Sequence, residues 1–409
     1  MLSKKTKILF VHHGTGIGGA PISLLNLIKF LNPERYIIKV TFVLESSAVE
    51  MFRQNRIETE VINAPGHWFT HTETGHIPWY QFYRYVRVFL QWQRTARSIA
   101  KNYLSAQDCD IVHLNSHALT SWAFAAHRLG LKVVLHNREA IAKGYTGLRH
   151  SILKHLVEQN CDAVINISED NKKRLGLEKN AHVVYNFVTI PSSLRPCMPD
   201  SINHRKILYL GGQAIIKGYE TVVACLPYLD ANIQVQFAGN YGKVDKAKTI
   251  KGWIKRRVKL TVFGRTYRPL KRLLEAPNAE VLGLLKDPLP AIDACDILIT
   301  PFKIEHFSRP AIEAFAYGKP VIGSNVEGMD EIIDHGVNGL IVEKDNPRAL
   351  AEAINYLCAN PNIARKMGEA GRRKAEKVFS SAVNTKKVEE IYDQLMTEKS
   401  VSETKTTKP

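Results

Sequence analysis

The sequence has no unbroken apolar run near the roughly 18 residues that a membrane span requires. Its opening, MLSKKTKILF, has a charged start and only a short apolar segment. Neither a spanning helix nor a signal peptide is expected, which places the chain in the cytoplasm. Cysteine is scarce: Cys109, Cys161, Cys197, Cys225, Cys295 and Cys358 are scattered, form no C-x-x-C pair, and several lie in apolar segments. Reduced, unpaired thiols follow. Zinc spacings and H-E-x-x-H are missing too, so no metal and no resident cofactor is expected. Acid is also in short supply. Lys and Arg number 56 against 39 Asp and Glu, a net charge of +17, and such a balance calls for an anionic partner: nucleic acid, a membrane surface or a phosphorylated ligand.

What is present is a repeated alternation. At 409 residues the chain exceeds the roughly 250 at which one core stops growing. Short β-rich runs (KILFVHH, IIKVTFVL, DIVHLN, KVVLHN, DAVINIS) alternate with helical segments, and a second series repeats the design (KILYLGG, IQVQFAG, AEVLG, DILITPF, KPVIGS, GLIVE). Strands buried on both faces and separated by helices predict parallel, doubly wound α/β sheets, hence two Rossmann-like domains. The polar stretch PSSLRPCMPDSINH (Pro191 to His204) makes the best linker. The domains are therefore expected at 1–196 and 197–380, joined near residue 197. A polar helix over 381–396 and a disordered tail over 397–409 follow.

Folds of this type bind ligands beyond the carboxyl ends of their strands. Those positions carry HHGTGIGGAP, NSH, HNRE, GGQAIIKG, AGNYG and PFKIEHFSRP, rich in glycine, histidine and charge. In the segment IEHFSRPAIEAFAYGKPVIGS (Ile304 to Ser324), Pro310 marks a helix start. Glu313 then falls within about one turn of that start, among apolar residues, where an unpaired carboxylate would cost several kcal/mol. Glu305 lies in the loop before it. The free N–H groups of a helix N-terminus suit a diphosphate, and carboxylates pointing past it accept from hydroxyl pairs. A diphosphate flanked by two hydroxyl-bearing rings is a nucleotide-sugar, with Glu313 on the ribose and Glu305 on the transferred sugar.

The pattern E-x7-E, followed by YGKPVIGSNVEGMDEII and GVNGLIV, resembles the signature of family 4 retaining glycosyltransferases of the GT-B fold. The likeness extends through VLGLLKDPLPAIDACDILITPF and ILYLGGQAIIKG, and through GGAPISLLNLIKFL and DIVHLNSH. It implies two domains facing across a cleft, a nucleotide-diphosphate sugar donor, retention at the anomeric carbon, no required metal, and a last helix that crosses back onto the first domain. Carried over by position, Lys217 and Glu305 are the catalytic candidates, Lys217 neutralising the donor diphosphate and Glu305 facing the donor sugar. Glu313 matches the ribose-holding glutamate, and the amides of Phe307 and Ser308 meet sugar or phosphate oxygens. Gly239 joins the donor-binding set, and Gly18 and Gly19 match the first-domain glycine loop. The chain departs from the pattern where Gly212 replaces the arginine that partners the lysine, and Arg309, standing at a commonly apolar position, is expected to supply that charge. Ser308 and His306 stand where glycine is common, Glu327 replaces the first glycine of a pair, and Asn115 replaces a histidine.

Other residues keep two readings. His12, His13, His113, His117 and His136 gather at strand ends of the first half; His113 shares a strand face with Ile111 and Asn115 and faces either the cleft, as a further catalytic candidate, or the core. Arg138 and Glu139 orient a substrate, or pair with each other; with Gly18, Gly19, Asn115 and His136 they form the expected acceptor side. Asp108 and Asp110 precede their strand, at the end away from ligands, which argues against a metal pair. From Ile77 to Asn102, an aromatic stripe (Trp79, Phe82, Tyr83, Val86, Phe89, Leu90) accompanies Arg84, Arg87, Arg94 and Arg97. It either lies in a bilayer interface or packs on the sheet. The cation-rich run from Lys243 to Arg272 is a solvated face or a second anionic-lipid contact. The expectation is thus a cytoplasmic glycosyltransferase, peripheral on the membrane, acting on a glycan or lipid-linked acceptor in surface polysaccharide or glycolipid synthesis. The rivals are a nucleotide-sugar epimerase of the same architecture and a basic nucleic-acid-binding protein, for which no binding module is visible.

Overall fold

The computed structural model describes residues 5–14, 16, 18–64, 82–143, 146–195, 197–198, 204–241 and 264–406. Trp79 and residues 243–263 of the basic run lie outside the described residues. The chain divides into two compact units, Met1–Phe187 with Ser381–Pro409, and Val188–Ser380.

In chain order the first unit begins with β1 (Thr6–His12), α1 (Gly19–Phe30), β2 (Tyr36–Phe42), α2 (Ser47–Gln54), β3 (Thr59–Val61), α3 (Phe82–Arg94) and α4 (Ala100–Ser105). It continues with β4 (Ile111–Leu114), α5 (Thr120–Arg128), β5 (Lys132–Asn137), α6 (Leu148–Asn160), β6 (Ala163–Asn166), α7 (Glu169–Leu175) and β7 (Ala181–Val183). The second unit holds β8 (Arg205–Tyr209), α8 (Tyr219–Cys225), β9 (Ile233–Ala238), α9 (Gly264–Glu275), β10 (Ala279–Gly283), α10 (Leu289–Ala294), β11 (Ile297–Thr300) and α11 (Arg309–Ala316). Then come β12 (Val321–Ser324), β13 (Gly339–Val342), α12 (Pro347–Ala359) and α13 (Pro361–Val378), and α14 (Ser381–Thr406) ends the described chain.

Every strand pairing is parallel. The first sheet runs β3-β2-β1-β4-β5-β6-β7 and the second β10-β9-β8-β11-β12-β13, with matched registers such as Ile8 opposite Ile38 and Ile111. The alternation of β1 shows why. Ile8 and Phe10 join a core with Leu24, Leu27 and Phe52, while Leu9 and Val11 join another with Val112, Leu114 and Trp122. Both faces of the strand are apolar because helices cover both. In the second unit Ile207, Tyr209, Val235, Phe237 and Ile299 pack against Val222, Leu350 and Ile354.

Two features differ from the sequence reading: the unit to which the linker stretch belongs and the length of the last helix. The polar stretch chosen as linker belongs to the second unit: Met198 is fully buried, its N–H donates to Asp296 at 3.1 Å, and its carbonyl accepts from Arg365 at 2.9 Å. The last helix belongs to the first unit, where Val388, Ile391, Tyr392 and Leu395 complete a core and Arg35 pairs with Glu389 and Asp393. It continues to Thr406, past Met396, so residues 397–406 extend a helix where a disordered tail was expected.

Candidate active site

The strand order of the second sheet reverses between β8 and β11, the position where open α/β sheets take ligands. Two loops meet there. The loop after β8 turns through Gly212 and a short 3-10 helix, Ile215–Lys217, to Gly218, whose φ of 77° is left-handed. A Cβ at Gly218 would fall 1.8 Å from the Pro301 carbonyl, so only glycine lets this loop lie against the one after β11. The Lys303 N–H donates to the Ile216 carbonyl at 2.9 Å, and the Lys303 ammonium pairs with Glu220 at 3.4 Å and Asp345 at 2.6 Å. Lys303 is thus a tie that the sequence reading missed. Its signal is only its place one residue after the Pro-Phe that follows β11.

Lys217 is different. Burial lowers the pKa of its ammonium, and among the described residues no carboxylate pairs with it. Nearby His306 stacks on Phe302, centroids 4.1 Å apart. Burial, aided by the charge of Lys217, lowers its pKa to about 4 and keeps it neutral.

Helix α11 begins on this loop. Its N-cap, Ser308, is fully buried and makes no cap hydrogen bond; its hydroxyl instead lies 3.0 Å from Thr300 Oγ1 at the end of β11. Pro310 has no N–H to offer. The helix start is therefore left uncapped by its N-cap side chain, with its positive end presented beside Lys217's loop. Phe307 is buried against Phe379, which anchors the turn, while Glu305 is half-buried in the loop before it.

Glu313 is 4% exposed, which excludes a solvated helix surface. It lies about one turn into the helix that begins at Arg309, and Arg309 answers its burial with an i,i+4 ion pair of 2.6 Å. Burial still raises the Glu313 pKa, with Arg309 pulling the other way. The sequence reading missed this pair, although its i,i+4 spacing could have shown it. Gly239 does less than expected of a donor-binding residue. Its N–H already donates to the Gly283 carbonyl at 2.7 Å, and its bare Cα lets it pack on Gly212. Gly212 itself has φ 55°, and a Cβ there would lie 2.8 Å from the Asn240 nitrogen. Local packing thus explains why no arginine stands at that position.

In the first unit the corresponding strand ends carry a connected network. His113 is fully buried; its Nδ1 lies 2.7 Å from the Tyr392 hydroxyl and its Nε2 3.2 Å from His136 Nδ1. Arg138 Nη2 lies 3.3 Å from that same His136 nitrogen. Arginine only donates, so His136 Nδ1 accepts, His113 Nε2 carries a proton, and His113 Nδ1 accepts from Tyr392. Burial, and the charge of Arg138, push both imidazole pKa values well down, keeping the rings neutral. His113 is a core residue, then, and not a catalytic one: both nitrogens are spent inside, beneath α14. Arg138 also donates to Asn115 and, at 3.0 Å, to Asn186, so it ties strand ends together rather than pairing with Glu139. Asn115 is fully buried, 3.0 Å from His12 Nδ1. Glu139 pairs instead with His117 at 3.2 Å. Burial opposes its ionisation, but hydrogen bonds from His117 and Ser116 and the nearby His13 outweigh it and bring the pKa to about 2. Gly18 and Gly19 open α1, and a Cβ at either would meet nothing within 4 Å. Asp110 accepts from the Lys7 N–H at 3.0 Å and Asp108 pairs with the Lys7 ammonium, a structural role at the far end of β1.

Comparison with known proteins agrees with this fold. The family described as Glycosyltransferase Family 4 matches residues 17–190, and that described as Glycosyl transferases group 1 matches residues 202–374. Together they account for both units, and the chain belongs to the family 4 glycosyltransferases of the GT-B fold. An uncharacterized glycosyltransferase of Methanocaldococcus jannaschii is 26% identical over 73% of this chain and 80% of its own. The capsular polysaccharide biosynthesis glycosyltransferase CapM of Staphylococcus aureus is 31% identical over 31% of this chain and 33% of its own. Among solved structures, Anabaena HepE in complex with UDP and glucose superposes with a TM-score of 0.72 at 17% identity, covering 95% of this chain and 99% of that one. Sucrose-phosphate synthase of Thermosynechococcus elongatus does so with 0.69 at 19% identity, covering 96% and 100%.

Proposed function

We propose that this glycosyltransferase takes a nucleotide-diphosphate sugar at the start of α11, transfers the sugar with retention and without a metal, and delivers it to a glycan or lipid-linked acceptor in surface polysaccharide or glycolipid synthesis. The observation that carries the donor site is a half-buried cation, Lys217, without a carboxylate partner among the described residues, beside a helix N-terminus that its own N-cap serine leaves uncapped. Both await negative charge. Lys217 and Arg309 supply positive charge to the diphosphate in place of a metal ion. Glu313, whose Oε1 holds Arg309, offers Oε2 to a ribose hydroxyl, and Glu305 binds the transferred sugar. The acceptor hydroxyl forms its bond to the anomeric carbon on the face from which the diphosphate leaves. The carbon–oxygen bond to the diphosphate breaks, and the acceptor's proton passes to the departing phosphate oxygen, so Glu305 binds without acting as a base. In support, the fold neighbour HepE was solved with UDP and with UDP-glucose, and CapM acts in capsular polysaccharide biosynthesis.

The test is thermal unfolding against UDP, GDP, ADP and dTDP sugars. A ligand at one hundred times its Kd adds about 2.7 kcal/mol to stability, so the true donor should raise Tm clearly, and Lys217→Ala should erase most of that rise. If no nucleotide-sugar stabilises the protein, or Lys217→Ala responds as wild type does, the donor site is elsewhere. Turnover of the donor with product epimers and no acceptor would replace transfer by epimerisation.

A further inference from the structure

Helix α3 has two unlike faces. Val88 and Trp92, one turn apart, are buried, and Trp92 Nε1 donates to Thr120 Oγ1 of α5 at 3.0 Å. On the other side Tyr83, Val86, Phe89 and Leu90 are 63%, 55%, 55% and 60% exposed. Spacings of three, four and seven residues line them up in one stripe. The exposed Arg87 and Arg94 run along its flank, with Arg84 further round. A second apolar pair, Leu148 and Ile152, stands exposed on α6. The two helices meet where the Arg149 guanidinium lies 5.2 Å from the centre of the Tyr85 ring.

The sequence around this face contains no acid: none occurs between Glu73 and Asp108, and none between Glu139 and Glu158. So many exposed large apolar side chains in one area call for a covering partner. We propose that α3 and the start of α6 form a docking face for an anionic phospholipid bilayer, the stripe entering the headgroup–acyl boundary and the arginines meeting headgroup phosphates. A helix lying in an interface needs this division into an apolar stripe and a cationic flank. A second copy of the chain is a poor occupant, because a symmetric contact would set arginine against arginine with no acid between them. The face belongs to the first unit and the start of α11 to the second, so its failure would leave the donor reading untouched.

The test is co-sedimentation of the full chain with phosphatidylcholine vesicles, with and without phosphatidylglycerol, at low and high salt. Binding is expected only to the anionic vesicles, weakening as salt screens the arginines. The Val86→Ser, Phe89→Ser, Leu90→Ser variant should bind roughly tenfold more weakly while keeping wild-type Tm and donor turnover. Should that variant fold poorly, Arg87→Gln with Arg94→Gln should remove most of the salt-sensitive share. Absence of binding to anionic vesicles, equal binding to neutral ones, or undiminished binding by well-folded variants would overturn the proposal. So would a dimer in gel filtration that the serine variant splits.

Discussion

The two units share a strand order and differ in what their strand ends do with charge. In the first, Tyr392, His113, His136, Arg138, Asn115 and His12 form a connected, buried network. In the second, the cation at the equivalent reversal point, Lys217, is desolvated with no carboxylate partner among the described residues, and the N-cap serine turns inward, away from its helix. A polar residue at a strand end is thus evidence for a ligand only when the protein has not already satisfied it. Counting histidines points to the first unit, whereas counting unmet charge points to the second.

The sharpest way to break this contrast is to remove one member from each side. Lys217→Ala should lower kcat/KM by roughly 100-fold to 1,000-fold, as expected for a group aimed at developing negative charge. Tm should hold or rise, because a desolvated ammonium without a carboxylate partner is lost. His113→Leu should do the reverse. It leaves the Tyr392 hydroxyl without its acceptor in a dry core and His136 Nδ1 with Arg138 alone, at a cost of about 1–3 kcal/mol, yet turnover per folded molecule should stay at the wild-type value. Steady-state kinetics beside thermal denaturation reads both. An active Lys217→Ala, or a folded but inactive His113→Leu, would invert the assignment.

Acid should act unequally on the two units. Buried His113 and His136 have depressed pKa values, so their neutral forms favour the folded state above the ordinary imidazole value, and that stability drains away as pH falls below it. Glu139, held near pKa 2, adds a second loss between the ordinary carboxylate value and about 2. Because 30% of its side chain is exposed, that share is roughly 2 kcal/mol rather than the full shift. Glu313 has the opposite sign. Its pKa is raised by burial, so its contribution weakens as pH rises from the ordinary carboxylate value to the elevated one. Denaturation across pH should show the acid loss reduced in Glu139→Gln; an unchanged acid limb would mean that the His117 pairing contributes nothing.

How far these differences were legible in the sequence depends on whether local spacing decides them. The parallel sheets were legible, since β1 alternates Ile8 and Phe10 with Leu9 and Val11, apolar on both faces. So was the burial of Glu313, though not its partner, which the i,i+4 spacing to Arg309 would have named. The fate of His113 was out of reach: the strand period places it on a face, but α14, returning from the far end of the chain, decides that this face is sealed. For α3 the periodicity located the stripe without saying which side meets the sheet. Trp92, through its bond to Thr120, settles that in favour of the opposite face.

The smallest expected effect separates glycines that the sequence makes look alike. Gly212 and Gly18 both belong to strand-end loops, yet Gly212 has φ 55° with the Asn240 nitrogen 2.8 Å from a would-be Cβ. Gly18 has an ordinary extended backbone, φ −122°, and open space around it. Gly212→Ala should therefore cost about 1–2 kcal/mol from backbone strain alone, and an arginine there would pay the same cost before reaching any phosphate. Gly18→Ala should change stability by less than about 0.5 kcal/mol. If Gly18→Ala nonetheless raises KM for donor or acceptor, the open space beside α1 is kept for a ligand. If neither stability nor KM moves, Gly18 is a plain turn glycine, and the first unit's contribution to the reaction has to be sought at Glu139 and His117.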